Sequence, residues 1–278
     1  MRGIKSLLTS CNLPEFQLLL LIENAMLKTG IIIQARSGSK RLPQKMTKTF
    51  FEGENILSIL LKRLRQFTPS DIEVVLATTV NQSDDTLEEI AATSGVKVFR
   101  GSEENVLSRF VQVAEKFGFD RVIRICGDNP FFDIEGTLRL ADSDPFGEFD
   151  YVSYRMADGR PTILSHLGFW GEVVSKKALK DAFASTIEKR YLEHVTNYIY
   201  THPEMFRIKL IDAPFELGKR EDIRLTVDTE ADFELSQNLF LQLDKKNTGF
   251  RADQIVRYID RFPEIKQQMK DQIEFNKK

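Results

Sequence analysis

Cysteine is scarce in this 278-residue chain, which contains only Cys11 and Cys126. The two residues match no metal-binding or disulfide spacing, so the composition is compatible with a protein of the reducing cytoplasm. We expect Cys126 to be a small core residue at the end of a strand.

An excess of either charge is also lacking, because 39 Lys and Arg residues face 41 Asp and Glu residues and the net charge is −2. The chain therefore has no overall attraction to nucleic acid or to an anionic membrane. We expect neither as a partner, and any polyanion must be held by a local cluster of basic groups.

Long apolar runs are absent as well. Residues 16–22 form a short apolar stretch that is too short to span a bilayer. Pro14 precedes it and Glu23 follows it, which is unlike a signal peptide. Two interpretations remain open: translation begins at Met26 and the preceding residues are loose or not native, or these residues form a short amphipathic helix packed on the domain.

The chain does have an ordinary globular composition and a regular alternation of elements from residue 29 onward. Apolar runs alternate with amphipathic segments, which predicts βαβ units and an α/β fold with a mostly parallel sheet flanked by helices. The predicted strands are residues 30–34, 72–78, 96–99, 121–126 and 223–227. The predicted helices are residues 56–66, 84–94, 103–117 and 229–241.

Residues 150–215 interrupt this alternation and are predicted to form a small inserted substrate lobe. Its predicted strands are residues 151–154, 167–175 and 206–211, and its predicted helices are residues 176–183 and 190–200. The chain is thus divided into an N-terminal extension (1–28), a main domain (29–245) that includes the lobe, and C-terminal helices (246–278) with a break at Pro263.

Three polar segments, residues 34–45, 78–85 and 127–133, follow predicted strands of the sheet. Ligands of such sheets bind at the carboxyl ends of the strands. We therefore expect these three segments to meet in one site.

The first of these segments matches neither a Walker loop nor a dinucleotide-binding glycine pattern. Gly38, with a serine on each side, allows backbone amides to turn toward an anion. The segment also carries four cations within ten positions, Arg36, Lys40, Arg41 and Lys45. Amides and cations together indicate a site for a triphosphate.

The stretch from Ile31 to Lys45 resembles the signature of the cytidylyltransferases that make CMP-activated sugar acids, and it is most similar to the spore coat polysaccharide cytidylyltransferase-like branch. The likeness continues in order through residues 76–79, 98–102, 106–110, 124–130, 193–196 and 224–229. Several linked motifs in order are more specific than any one of them.

The resemblance implies a nucleotide-diphospho-sugar transferase (Rossmann-like) fold, a homodimer, and a Mg²⁺-dependent reaction. In that reaction the anomeric hydroxyl of a sugar acid attacks the α-phosphorus of CTP, so that CMP-sugar forms and pyrophosphate leaves. The product would feed the synthesis of a surface polysaccharide or another glycan.

Four residues are expected by resemblance to carry this reaction: Arg36, Lys45, Asp128 and Asp228. Arg36 and Lys45 are suited to the charge that accumulates on the leaving pyrophosphate. Asp128 and Asp228 are the expected metal ligands, since carboxylates suit a hard cation that bridges phosphate oxygens. Asp228 could instead cap the helix that follows it.

The resemblance also implies a set of binding residues. The expected nucleotide contacts are Gln34, Ala35, Arg36, Ser37, Gly38, Lys45, Ala77, Thr78, Arg100 and Gly127. The expected contacts to the sugar substrate are Arg109, Asn129, Glu172 and His194. Arg100 and Arg109 could equally form structural ion pairs with nearby carboxylates, and a lone helical histidine such as His194 is often structural.

The chain departs from the family pattern at two places. Residues 168–171 replace the usual Gly-Leu-Asp before Glu172, which leaves the identity of the sugar open, and Gln44 stands where relatives often carry glycine. His166 and His202 belong to no motif and are expected at the surface.

Two other interpretations stay open. One is a nucleotidyltransferase for another nucleotide or sugar, although the first loop lacks the Leu-x-Gly of uridylyl- and thymidylyltransferases. The other is a non-catalytic nucleotide-binding protein of a glycan pathway. Retention of the four charged residues argues against it, because charges that are costly to bury are commonly lost from a degenerate enzyme.

Removal of residues 1–25, so that the chain begins at Met26, is expected to leave folding and activity intact. Thermal unfolding and turnover of the shortened and full chains would be compared. A folding defect in the shortened chain would contradict this expectation and favour the packed amphipathic helix.

Overall fold

The structure is a computed structural model that describes residues 27–39, 41–245 and 250–276. The interpretations of residues 1–25 and the position of Lys40 lie outside the described residues. The strands are β1 (Thr29–Gln34), β2 (Thr49–Phe51), β3 (Glu54–Asn55), β4 (Glu73–Thr79), β5 (Lys97–Gly101), β6 (Arg121–Cys126), β7 (Tyr151–Arg155), β8 (Glu172–Ser175) and β9 (Ile208–Asp212).

Helices alternate with these strands along much of the chain. They are α1 (Ile56–Phe67), α2 (Asp85–Thr93), α3 (Val106–Lys116), α4 (Ile134–Asp142), α5 (Lys176–Ser185), α6 (Lys189–Glu193), α7 (Asn197–Thr201), α8 (Glu230–Lys245), α9 (Ala252–Ile259) and α10 (Pro263–Phe275). None of the helices in the described ranges is both long and apolar enough to cross a membrane.

Seven strands form one sheet in the order β5-β4-β1-β6-β8-β7-β9, while β2 and β3 pair as a separate small hairpin. Only β8 runs against its neighbours, because it pairs antiparallel with both β6 and β7. The other pairs within the sheet are parallel. The predicted α/β fold with a mostly parallel sheet is confirmed.

Helices cover both faces of the sheet. Along β1, Ile31 and Ile33 belong to one core and Ile32 to the other, as the alternation of side chains along a strand requires. The first core contains side chains of α1, α2, α4, α8, α9 and α10, and the second those of α3, α5, α6 and α7. Continuous apolar strands such as β1 are therefore buried on both faces.

Helix α1 shows how the sequence sets an element boundary. The Asn55 side chain accepts a hydrogen bond from the Ser58 amide, and the Ser58 hydroxyl receives one from the Asn55 amide. This reciprocal cap satisfies amides that lack partners in the first turn. Leu57, Leu60 and Leu64 then lie on the buried face.

The region 150–215 adds strands to the main sheet, since β7, β8 and β9 continue it beyond β6. Three predicted elements between residues 150 and 227 were wrong. The strand expected at 167–175 begins only at Glu172, and the helix expected at 190–200 is divided into α6 and α7. Residues 223–227 lie outside the sheet, because the amides of Leu225 and Thr226 donate to the carbonyl of His166 instead.

Gly30, the second residue of β1, faces the ring of Phe119, and a Cβ at this position would lie 2.2 Å from Phe119 Cε2. Gly30→Ala is expected to lower the free energy of unfolding by about 1–3 kcal/mol, because the buried ring must move. Urea unfolding of this variant, of Phe119→Leu and of the double variant would measure the effect. The double variant should lose less stability than the sum of the single losses, and wild-type stability of Gly30→Ala would contradict the packing argument.

Candidate active site

Two cavities lie beside the carboxyl ends of β1 and β6. The larger has a volume of about 610 Å³ and the smaller about 310 Å³. Both are lined by Cys126, Asp128 and Asp228, so the two cavities meet at this pair of carboxylates. The first and third polar segments meet here as expected, whereas the second, residues 78–85, lies outside the walls of both cavities.

The larger cavity contains most of the predicted residues of the first loop. The predicted residues that line it are Gln34, Ala35, Arg36, Gly38, Lys45, Asp128 and Asp228. The lining also includes Met46, Glu103, Lys189 and Glu193. Residues from β1, β6 and helix α6 thus enclose one space.

Asp84 fixes the position of the loop after β1 through hydrogen bonds. Its side chain is only 1 % exposed and accepts hydrogen bonds from the Ser37 amide at 2.7 Å, from the Thr78 hydroxyl at 2.9 Å, and from the amide and hydroxyl of Thr79. Burial alone would raise the pKa of Asp84, but the hydrogen bonds from Thr79, Ser37 and Thr78 hold it below its usual value. The ionised carboxylate therefore ties the loop after β1 to the end of β4.

Gly127 allows the ends of β1 and β6 to approach each other. Its amide donates to the Gln34 carbonyl at 2.9 Å, and a Cβ at this position would lie 3.1 Å from the Ala35 Cβ. Gln44, on the far side of the loop, has a φ of 57°, a conformation that glycine adopts with less strain. This positive φ explains why similar sequences often carry glycine at position 44.

Lys45 joins the walls of the larger cavity. Its side chain is 9 % exposed, and Nζ donates to Asp128 Oδ2 at 2.6 Å and to the Val227 carbonyl at 2.7 Å. The ammonium group thus links the loop after β1, the end of β6 and the segment that carries Asp228.

Asp228 faces the cavities and does not cap helix α8. Its Oδ1 accepts from Arg41 Nη2 at 2.7 Å and its Oδ2 from Arg224 Nη2 at 3.2 Å. The helix is capped by its neighbours, since Thr229 Oγ1 accepts from the Asp232 amide and Asp232 Oδ2 from the Thr229 amide. Of the two interpretations of Asp228, the structure supports the one that leaves its carboxylate toward the cavities.

Arg36 lies at the mouth of the larger cavity. Its guanidinium is 3.3 Å from Glu193 Oε1 on helix α6 and 3.8 Å from Glu103 Oε1 beyond β5. The side chain is 39 % exposed, so these pairs are screened by solvent and can be exchanged for a ligand at little cost.

The smaller cavity is formed largely by the segment before β8. Two of the expected sugar contacts, Asn129 and His194, line it together with Thr226. His166 also lines it, so the expectation that this residue is an ordinary surface histidine was wrong. His202 lies elsewhere, with its ring stacked on Tyr198.

Seven predicted contacts lie outside the walls of both cavities: Ser37, Ala77, Thr78, Arg100, Arg109, Gly127 and Glu172. Thr78 binds Asp84, and the Ala77 carbonyl accepts from the Ala35 amide, so both support the loop. Arg100 donates to the carbonyls of Thr79 and Asn81 and pairs with Asp85 and Glu88. The position of Arg100 thus matches the structural alternative, an ion pair with carboxylates.

Arg109 and Glu172 are also placed as internal supports. Arg109 is fully buried and donates to the Ser102 carbonyl, and burial lowers its pKa to about 10. Glu172 is 1 % exposed and accepts hydrogen bonds from Arg124, Tyr151 and Thr196. Arg124 lines the smaller cavity, so Glu172 lies behind it.

Cys126 lies on β6 at the shared boundary of the two cavities. Burial raises the pKa of its thiol to about 11, which leaves the sulfur protonated and a poor nucleophile at neutral pH. It serves as a small wall residue.

Asp84→Asn is expected to lower the free energy of unfolding at pH 7 by about 1–3 kcal/mol, because buried donors lose a charged acceptor. A folded-state pKa below the usual 3.8 means that the carboxylate contributes stability that is present above that value and lost as the pH falls through the folded pKa. The difference from wild type should therefore shrink below about pH 4. Unfolding from pH 7 to pH 3, with the exposed Asp71→Asn as control, tests this, and a difference that does not change with pH would contradict it.

Comparisons with known proteins agree with this geometry. Residues 30–265 match the cytidylyltransferase family. The chain is 40 % identical to an uncharacterized protein of Methanocaldococcus jannaschii over 84 % of this chain and 91 % of that protein. It is 37 % identical to the spore coat polysaccharide biosynthesis protein SpsF of Bacillus subtilis over 84 % of this chain and 94 % of that protein.

Solved structures show the same architecture. A cytidylyltransferase from Leptospira borgpetersenii superposes with a TM-score of 0.74 at 28 % identity, covering 87 % of this chain and 97 % of that one. A CMP:2-keto-3-deoxy-manno-octonic acid synthetase shares the fold, with a TM-score of 0.57 at 20 % identity over 77 % of this chain and 99 % of that one. With the family matched across most of its length, the chain belongs to the cytidylyltransferase family.

Proposed function

We propose that this cytidylyltransferase transfers CMP from CTP to the anomeric hydroxyl of a sugar acid, with release of pyrophosphate, during the synthesis of a surface polysaccharide or glycan. The observation that carries the proposal is the pair of cavities that meet at Asp128 and Asp228. One cavity is lined by Arg36, Arg41 and Lys45 of the first loop, whereas the other contains none of these and has Arg124 in its wall. A reaction between a triphosphate and a second, hydroxyl-bearing substrate needs such a division.

The larger cavity suits the nucleotide. Arg36 and Lys45 present cations toward it, and Gly38 exposes loop backbone where a side chain would reach Glu103. Arg36 offers a planar fork to phosphate oxygens and Lys45 a point charge. Their charges stabilise the pyrophosphate as it leaves. Family membership supports CTP as the nucleotide.

Asp128 and Asp228 have the chemistry that a magnesium ion requires. Both offer carboxylate oxygens, and no cluster of three or more acidic, histidine or cysteine ligands occurs in the described part of the chain. Magnesium is commonly held by one or two carboxylates, with phosphate oxygens and water completing its shell. When bound, the ion supplies positive charge to the phosphate oxygens.

The smaller cavity suits the second substrate. Asn129 and Thr226 offer polar groups, and the buried aromatic side chains of Phe169 and Trp170 form an apolar wall. Such a mixture is suited to the polar and apolar faces of a sugar. The relation to SpsF, a polysaccharide biosynthesis protein, supports a glycan pathway.

We propose that the enzyme acts in the cytoplasm and that it forms a homodimer. The region 150–215 exposes large apolar side chains at its surface, with Phe183 41 %, Ile187 94 % and Met205 52 % exposed. Exposed apolar residues of this kind favour an interface between two copies of the chain.

Purified protein incubated with Mg²⁺, CTP and a panel of eight- and nine-carbon 2-keto-3-deoxy sugar acids is expected to release pyrophosphate. Lys45→Ala, Asp128→Asn and Asp228→Asn are each expected to lower kcat by about 10²–10³-fold, because charges around the phosphates are lost. Asp181→Asn on helix α5 is the control and should retain wild-type turnover.

The outcomes separate the parts of the proposal. No pyrophosphate with CTP and any sugar acid would overturn the reaction, and faster release with another nucleoside triphosphate would overturn the choice of CTP. Full activity of Asp128→Asn or Asp228→Asn would show that the metal assignment is wrong.

A further inference from the structure

His166 lies in the segment before β8, where this half-buried residue lines the smaller cavity. Arg224 Nη1 is 2.7 Å from its Nδ1. A guanidinium can only donate hydrogen bonds, so Nδ1 is the acceptor and carries no proton. The ring is therefore the neutral tautomer with its hydrogen on Nε2.

Other contacts fix the side chain of Arg224, so it keeps donating to Nδ1 of His166. It is 3 % exposed, and Asp232 accepts from its Nε at 2.7 Å and from its Nη2 at 2.8 Å. This bidentate pair fixes the plane of the guanidinium, and with it the direction of the third donor toward His166.

The backbone of His166 is fixed as well. Its carbonyl accepts from the Leu225 amide at 2.8 Å and from the Thr226 amide at 3.3 Å. Ring and backbone are thus both bound to the segment that ends at Asp228. Nε2 forms no hydrogen bond within the residues that the structure describes, although the ring lines the cavity.

We propose that the Nε2–H of His166 binds the carboxylate of the second substrate. This inference rests on the proposed function, because it assigns one group of the sugar acid to one atom of the smaller cavity. The hydrogen bond from Arg224 draws electron density from the ring and strengthens Nε2–H as a donor. Nδ1 is occupied and Nε2 is protonated, so the ring binds the substrate and does not remove its proton.

Two substitutions of His166 test the roles of its two ring nitrogens separately. His166→Asn keeps an acceptor near the place of Nδ1 but has no donor at the place of Nε2, whereas His166→Gln reaches the place of Nε2 with an amide donor. His166→Asn is expected to raise the KM for the sugar acid by about 10–100-fold, with the KM for CTP and the Tm near wild type. His166→Gln should retain a KM for the sugar acid within a few fold of wild type.

The reverse order, with His166→Asn near wild type and His166→Gln impaired, would assign His166 only to the support of Arg224 and overturn the proposal. An acceptor whose carboxylate has been converted to a primary amide provides the second control. His166→Asn should lose much less kcat/KM with this neutral acceptor than with the acid. Equal losses with both acceptors would overturn the assignment to the carboxylate.

Nitrogen NMR of histidine-labelled protein tests the same proposal without turnover. The chain has three histidines, so the signal missing from His166→Asn identifies the residue, and His202→Asn is the matched control. We expect the Nε2–H tautomer at pH 7.5, and a change in its Nε2 shift when a sugar acid of the panel is added with Mg²⁺ and CMP. An Nδ1–H tautomer, or no change with any acid, would overturn the proposal. A wild-type enzyme that binds the acid but releases no pyrophosphate would instead contradict the proposed reaction alone.

Discussion

The ammonium group of Lys45 holds together the two carboxylates around which the site is built. It bonds Asp128 directly and reaches Asp228 through the carbonyl of the preceding residue, Val227. Two carboxylates that border one space repel each other, and the ammonium group of Lys45, whose side chain is 9 % exposed, offsets part of that repulsion together with the arginines that pair with Asp228. Lys45 therefore bridges the end of β6 and the segment before α8, which are distant in the sequence.

The same balance of charge extends across the larger cavity. Arg36 has Glu193 and Glu103 as partners, and Arg41 has Asp228. Cations that are paired in this way keep their positions before a ligand arrives, so little ordering remains for binding. Under the proposed function, a magnesium-bound triphosphate carries charges of both signs and can therefore replace both members of these pairs.

The sequence predicted the sheet and the loop well because both depend on local signals. Apolar runs of strand length and the asparagine cap before helix α1 are visible in a short window, and so is the cluster of cations around Gly38. Asp84 and His166 were not identified, because their roles depend on contacts with Ser37 and Arg224, and no spacing rule reports them. The extended segment 223–227 has the composition of a strand, yet its amides pair with the carbonyl of His166, so tertiary pairing and not propensity decides its place.

Under the proposed function, the direction of β8 has a consequence for how the two substrates are recognised. The other strands of this sheet run toward the edge that carries the site and end there, but β8 is antiparallel to β6, with Glu172 beside Arg124 and Ser175 beside Arg121, and therefore begins at that edge. The chain therefore passes the smaller cavity on its way into β8, along residues 162–170, and turns away from the site afterwards. Most of the wall of the smaller cavity is thus one continuous connection that lines no part of the larger cavity, although the two cavities share Cys126, Asp128 and Asp228. Changes in that connection can alter the preferred acceptor while the strands and loops of the larger cavity stay as they are.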